Sequence, residues 1–80
     1  MILLTDAQVN SLLYGETSLN LGVAFINGWY DHEDGCKNID LVWSTPHREV
    51  SFVANGMSVQ ELRKRIESEL TVYSEVLGRL

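Results

Sequence analysis

The stretch from Met57 to Leu80 constrains everything upstream of it. Val59, Leu62, Ile66, Leu70, Tyr73, Leu77 and Leu80 recur at steps of three and four. At about 3.6 residues per turn they share one helical face. Ser58 stands three residues before Glu61, the spacing of a capping box in which each side chain accepts from the other's backbone N–H. Met57 and Leu62 have the spacing of a hydrophobic staple around that cap. Asn55-Gly56 marks a turn just before it. Glu61 with Arg65, and Glu75 with Arg79, are i,i+4 pairs on the polar side. A helix with one apolar stripe needs a surface to cover, and a sheet is the simplest. Val72 and Val76 widen the stripe in its second half. With Leu80 they also suit a seam between two copies of the chain.

The upstream residues supply that surface. Thr5 to Tyr14 reads as a short helix: Thr5 and Gln8 form a second capping box, and Leu4 and Val9 a second staple. Val9, Leu12 and Leu13 give its buried side, and Gly15 sits where a helix ends. Leu19 to Tyr30 reads as one long strand. Leu19, Leu21, Val23, Phe25 and Trp29 alternate onto one face, with Ile26 and Tyr30 on the other. Asn27-Gly28 is a hairpin signal, but the parity runs unbroken from Phe25 to Trp29, which favours a bulge there. Asp34-Gly35 makes the next turn. Asn38 to Ser44 is a second strand, with Ile39, Leu41 and Trp43 on one side and Asp40 opposite. Pro46 belongs to the following turn because it cannot donate to a ladder. Arg48 to Ala54 is a third strand with Val50 and Phe52 inward. The expected fold is α+β, in the order α-β-β-β-α. A three-stranded antiparallel meander has the long C-terminal and the short N-terminal helix packed on one face.

A chain of 80 residues makes one domain, 1–80, with one modest core. Its net charge of −5 is uneven. Up to residue 46, six acids face Lys37 alone, whereas acids and bases balance from 47 onward. Such a field repels nucleic-acid backbones and attracts basic surfaces. No apolar run approaches the roughly 20 residues needed to span a bilayer. The first residues lack the basic start of a signal peptide. One cysteine, Cys36, gives no intramolecular disulfide and fits a reducing compartment. A cytoplasmic protein is expected.

Asp31-His32-Glu33-Asp34-Gly35-Cys36 is the densest polar cluster. It matches neither the paired Cys/His spacing of structural zinc nor the alternating acids of a calcium loop, so a solvated acidic turn is expected, with no metal and no cofactor. Cys36 with His32 or His47 lacks a third orienting group. No phosphate loop, nucleophile elbow or H-E-x-x-H run is present. The chain therefore reads as non-enzymatic, with no catalytic residues. Arg63-Lys64-Arg65 lies among Glu61, Glu67 and Glu69 and reads as an ion-paired helix face.

The α-β-β-β-α order is similar to the double-stranded RNA-binding domain, and that likeness implies a nucleic-acid contact at the start of the last helix. That family carries a lysine-rich run there. Here the helix opens Ser58-Val59-Gln60-Glu61, and Pro46-His47 falls in a different loop from the family's Pro-x-His loop.

Trp29 and Trp43 share parity with Phe25 and Leu41, which predicts burial. Tyr30 has the opposite parity and stands beside Asp31. The wetter sheet face and the acidic turn are thus the expected contact surface, with Ile26 and Tyr30 as anchors and Asp31, Glu33, Asp34 and Asp40 as steering charges. The expected partner is a protein with a basic, nucleic-acid-binding surface. Direct nucleic-acid or membrane binding is not expected. In size, charge and design the chain resembles the small phage or mobile-element proteins that inhibit host defence enzymes, anti-CRISPR proteins among them. A homodimeric assembly protein joined through Val72, Val76 and Leu80 is the alternative.

Overall fold

In the computed structural model, residues 4–22, 24–44 and 47–78 are described, with side chains as far as Val72. The elements are α1 (Asp6–Tyr14), β1 (Thr17–Asn20), β2 (Phe25–Asp31), β3 (Cys36–Ser44), β4 (His47–Val53) and α2 (Val59–Gly78). The strands form one antiparallel sheet in the order β1-β2-β3-β4. The class is α+β as expected, but the meander has four strands.

The additional strand comes from a chain reversal inside the stretch expected to be one strand. Leu21 N–H donates to the Ala24 carbonyl at 2.9 Å. Gly22 N–H donates to Asn20 Oδ1 at 2.8 Å, and Gly22 takes a φ of +84° that an L side chain rarely adopts. The reversal changes which residues share a face. Leu19 stands opposite Ile26, so Ile26 points inward and is fully buried. Phe25 and Trp29 point outward, contrary to the expected parity. Trp43 keeps its expected burial.

Asn27 and Gly28 form neither hairpin turn nor bulge. Both hold unbroken register, opposite Ser18 and Thr17 on one side and Asp40 and Ile39 on the other. The glycine serves close packing. A Cβ at residue 28 would lie 2.7 Å from the Leu12 carbonyl oxygen and 3.2 Å from Leu12 Cα. Its absence lets the backbone of α1 approach the sheet.

The buried cluster joins Val9 and Leu12 of α1, Ile26, Ile39, Leu41 and Trp43 of the sheet, and Leu62, Ile66 and Leu70 of α2. Met57, Val59, Val50 and Phe52 pack around it. Arg63 pairs with Asp6 across the two helices. The Arg65 guanidinium lies 4.4 Å from the Phe52 ring centroid, and its Nε donates to Glu69 at 3.3 Å. The basic run is thus engaged within the fold at Arg63 and Arg65. The fourth strand also departs from the order shared with the double-stranded RNA-binding domain.

Both expected caps are present. Thr5 N–H donates to Gln8 Oε1 at 2.9 Å, and Gln8 N–H to Thr5 Oγ1 at 3.2 Å. Gly15 follows α1 with an extended φ of −124° rather than a left-handed one. Ser58 N–H donates to Glu61 Oε1 at 3.2 Å, and Glu61 N–H to Ser58 Oγ at 3.1 Å. Glu61 therefore serves the cap, and Arg65 takes Glu69 as its i,i+4 partner instead. The other expected pair, Glu75 with Arg79, lies outside the described side chains. Ser58→Ala should cost about 0.5–2 kcal/mol. Because the box is reciprocal, adding Glu61→Ala should cost less than the sum of the single losses. Strictly additive losses in urea unfolding of the four proteins would contradict this cap.

Lys37 is a charged residue in the buried layer. Its Nζ donates to the Gly15 carbonyl just past α1. The last turn of α1 contains no basic residue, so β3 supplies the cation that the negative end of that helix favours. Burial lowers the Lys37 pKa below its ordinary 10.5, and the charge of Glu16 offsets part of that. Between the lowered folded value and the unfolded one, the unfolded chain binds more protons. The contribution of Lys37 to stability therefore rises with pH across that interval. The unfolding free energy of the wild type relative to Lys37→Met should climb as the pH is raised toward about 10.5. A difference that falls over the same range reverses the assignment.

Asn55 fastens the adjacent loops. Its Oδ1 accepts from Lys37 N–H at 2.6 Å, and its Nδ2 donates to the Gly35 carbonyl at 2.9 Å. The turn after β2 and the turn before α2 are thereby joined.

Candidate functional site: the open face of the sheet

The register sets out the outward face in rows across the strands. Ser18, Asn27, Asp40 and Ser51 make a polar row. On one side of it lie Asn20, Phe25, Val42 and Glu49, and on the other Trp29, Asn38 and Val53. Phe25 is 47% exposed, Trp29 42% and Val53 49%. Three large apolar side chains thus stand partly in water on one face, Phe25 on one side of the polar row and Trp29 and Val53 on the other.

The polar row is partly ordered by its own bonds. Trp29 Nε1 donates to Asp40 Oδ2 at 2.7 Å. Ser18 Oγ lies 2.6 Å from Asn27 Oδ1, as a donor. Between these two pairs runs an open groove whose lining includes Glu16, Ser18, Asn27, Trp29 and Asp40. Aromatic surface and carboxylate occur there together, an arrangement suited to a cation.

The residues expected to form a contact surface do not converge. Asp40 lies on the open face beside Trp29. Ile26 is not an anchor: the reversal at Gly22 turns it into the core, where it is fully buried. Tyr30 stands opposite Lys37 near the end of β2, on the inward side of the pleat. It is 40% exposed, and its ring meets His32 edge-on at 5.0 Å. Asp31 organises the turn: its Oδ1 accepts from Glu33 N–H at 2.9 Å and Asp34 N–H at 3.3 Å. That Asx geometry makes it a structural carboxylate. Glu33 and Asp34 are exposed. Val72 is exposed on α2, while the Val76 side chain and Leu80 lie outside the described residues.

Val53 shares the outward parity of Glu49 and Ser51 on β4, whereas sequence parity missed Phe25 and Trp29 as surface residues. The signal that could have found them is Asn20-Leu21-Gly22: an Asx residue two before a glycine is a turn, and a turn there inverts β2.

Among the described residues, no group of three or more His, Cys, Asp or Glu is placed to hold a metal ion. No described helix is long and apolar enough to cross a membrane. No protein-family model, curated protein or solved structure matches the chain.

Proposed function

We propose that this chain is a small, acidic, non-enzymatic binding protein acting in the cytoplasm. It docks through the open sheet face on a basic, nucleic-acid-binding surface of another protein and occludes it, in the manner of phage and mobile-element inhibitors of host defence. The observation that carries this is the set Phe25, Trp29 and Val53, half-exposed on one face and flanked by Asp40 and Glu49. Aromatic residues are enriched at protein interfaces, and here they alternate with polar ones across the face. The acids direct that face toward positive charge. Glu33 and Asp34 add exposed charge at the end of the β2–β3 hairpin.

The test uses the immobilised chain to capture a partner from host lysate, alongside the double variant Phe25→Ser/Val53→Ser. The reading requires a nucleic-acid-binding protein that the double variant fails to hold and that added nucleic acid displaces. Glu33→Gln/Asp34→Asn should then slow association more than it speeds dissociation, as expected for charges that only steer. Equal capture by the double variant overturns the docking face. A second function, homodimer assembly through α2, is favoured by the exposure of Val72. It predicts self-association that Val72→Glu abolishes in light scattering.

A further inference from the structure

We infer that the groove beside Trp29 receives a single arginine side chain of the partner. This rests on the open face being the docking surface. The groove lies between β1 and the Trp29–Asp40 pair, and its lining combines polar side chains with the Trp29 indole. Glu16 and Asp40 line it and no lysine or arginine does. Glu16 also interacts with the Lys37 cation, so Asp40 is the principal charge that favours a cation there.

Trp29 and Asp40 form a preset pair. The indole N–H is committed to Asp40 Oδ2, which fixes the ring relative to the carboxylate before any ligand arrives. Oδ1 takes no hydrogen bond among the described residues and remains available as an acceptor. The indole is still 42% exposed. A planar guanidinium can stack on an aromatic ring and donate in its own plane to a neighbouring carboxylate, whereas an ammonium is a strongly hydrated point charge. A ring with an acceptor at its edge matches the first. Asn27 Oδ1 accepts from Ser18 and is neutral, so the charged acceptors in the lining are the carboxylates of Glu16 and Asp40.

The experiment follows the indole N–H signals of the two tryptophans by NMR, with Trp29 assigned through Trp29→Phe. The intact chain is titrated with acetyl-Gly-Arg-Gly-amide and with its lysine and citrulline counterparts. The arginine peptide should shift the Trp29 indole and the Asn27 backbone amide saturably. Lysine should shift them more weakly, and citrulline, which keeps the shape without the charge, should not shift them saturably. Asp40→Asn keeps an acceptor for the indole while removing the charge, and should weaken arginine binding about tenfold. Equal responses to arginine and citrulline, or to arginine and lysine, overturn the inference, as does an unaltered response in Asp40→Asn. The docking reading is tested separately on the captured partner. If Phe25→Ser/Val53→Ser abolishes capture while Asp40→Asn leaves its affinity unchanged, the docking face stands and the arginine recess falls. If neither variant changes capture, both fall.

Discussion

Gly28→Ala is expected to destabilise the protein by about 1–3 kcal/mol or more, although it adds one methyl group. In an ordinary strand position that change is neutral or stabilising, because alanine restricts the unfolded chain more than glycine does. Here the added Cβ would stand 2.7 Å from the Leu12 carbonyl oxygen, closer than such atoms approach. The obstructing atoms belong to the backbone of α1, so no rotamer change relieves the contact. Relief requires α1 to lift from the sheet, which would uncover Val9 and Leu12, both fully buried. The denaturation midpoint in urea should fall accordingly, with little change in the far-UV helix signal. Trimming the neighbour, as in Leu12→Ala/Gly28→Ala, should not restore stability, because the backbone oxygen stays where it was. A Gly28→Ala protein as stable as the wild type would mean that α1 does not rest on β2.

The largest loss is expected at Ile26. Ile26→Ala removes a fully buried side chain and should cost about 2–5 kcal/mol, the transfer of the lost methyl groups together with the cavity left behind. Phe25→Ala, one residue earlier, removes more atoms from a side chain that is already 47% exposed, and should cost about 1 kcal/mol or less. The pair tests the facing of β2 directly, since adjacent strand residues point to opposite sides. On binding, the order should invert: Phe25 variants weaken capture, and Ile26 variants affect it only through lost stability. If Phe25→Ala were the more destabilising change, β2 would face the other way.

Those two residues also show where the sequence was legible and where it was not. Of the α2 stripe, Tyr73, Leu77 and Leu80 lie outside the described side chains. α2 could be read because its cap, its staple and its stripe from Val59 to Leu70 are each local patterns. The same holds for α1 and for β3, whose large residues Ile39, Leu41 and Trp43 fall on one side without interruption. β2 was misread because parity can be counted only within a strand, and the count was carried across Gly22. Two large apolar residues, Phe25 and Trp29, then looked like core. Their place was settled by pairing: Leu19 opposite Ile26 is a contact between strands, which no single-strand pattern encodes. Gly28 was ambiguous for a related reason. A glycine after an asparagine suggests a turn, and only the approach of α1 reveals why a side chain is excluded. The candidate site inherited the error. Asp40 was placed correctly, because β3 was, while Ile26 and Tyr30 were assigned to a face they do not occupy.

The order of the strands has a consequence for how the chain reaches this state. Each strand pairs with its neighbour in sequence, so the whole sheet is assembled from local hairpins. Contacts of that kind close short loops and form quickly. The bond between Asp6 and Arg63 spans 57 positions, and the meeting of α1 with α2 must close nearly the entire chain. The slow event is therefore expected to be the arrival of the two terminal helices on a meander already paired. Until then the inner face, with Ile26, Ile39 and Leu41, is as open to water as the outer one. During that interval the chain would be a bare sheet with apolar residues on both sides. Its most aggregation-prone moment then lies late in folding, and the docking of α1 on Gly28 helps bring it to an end.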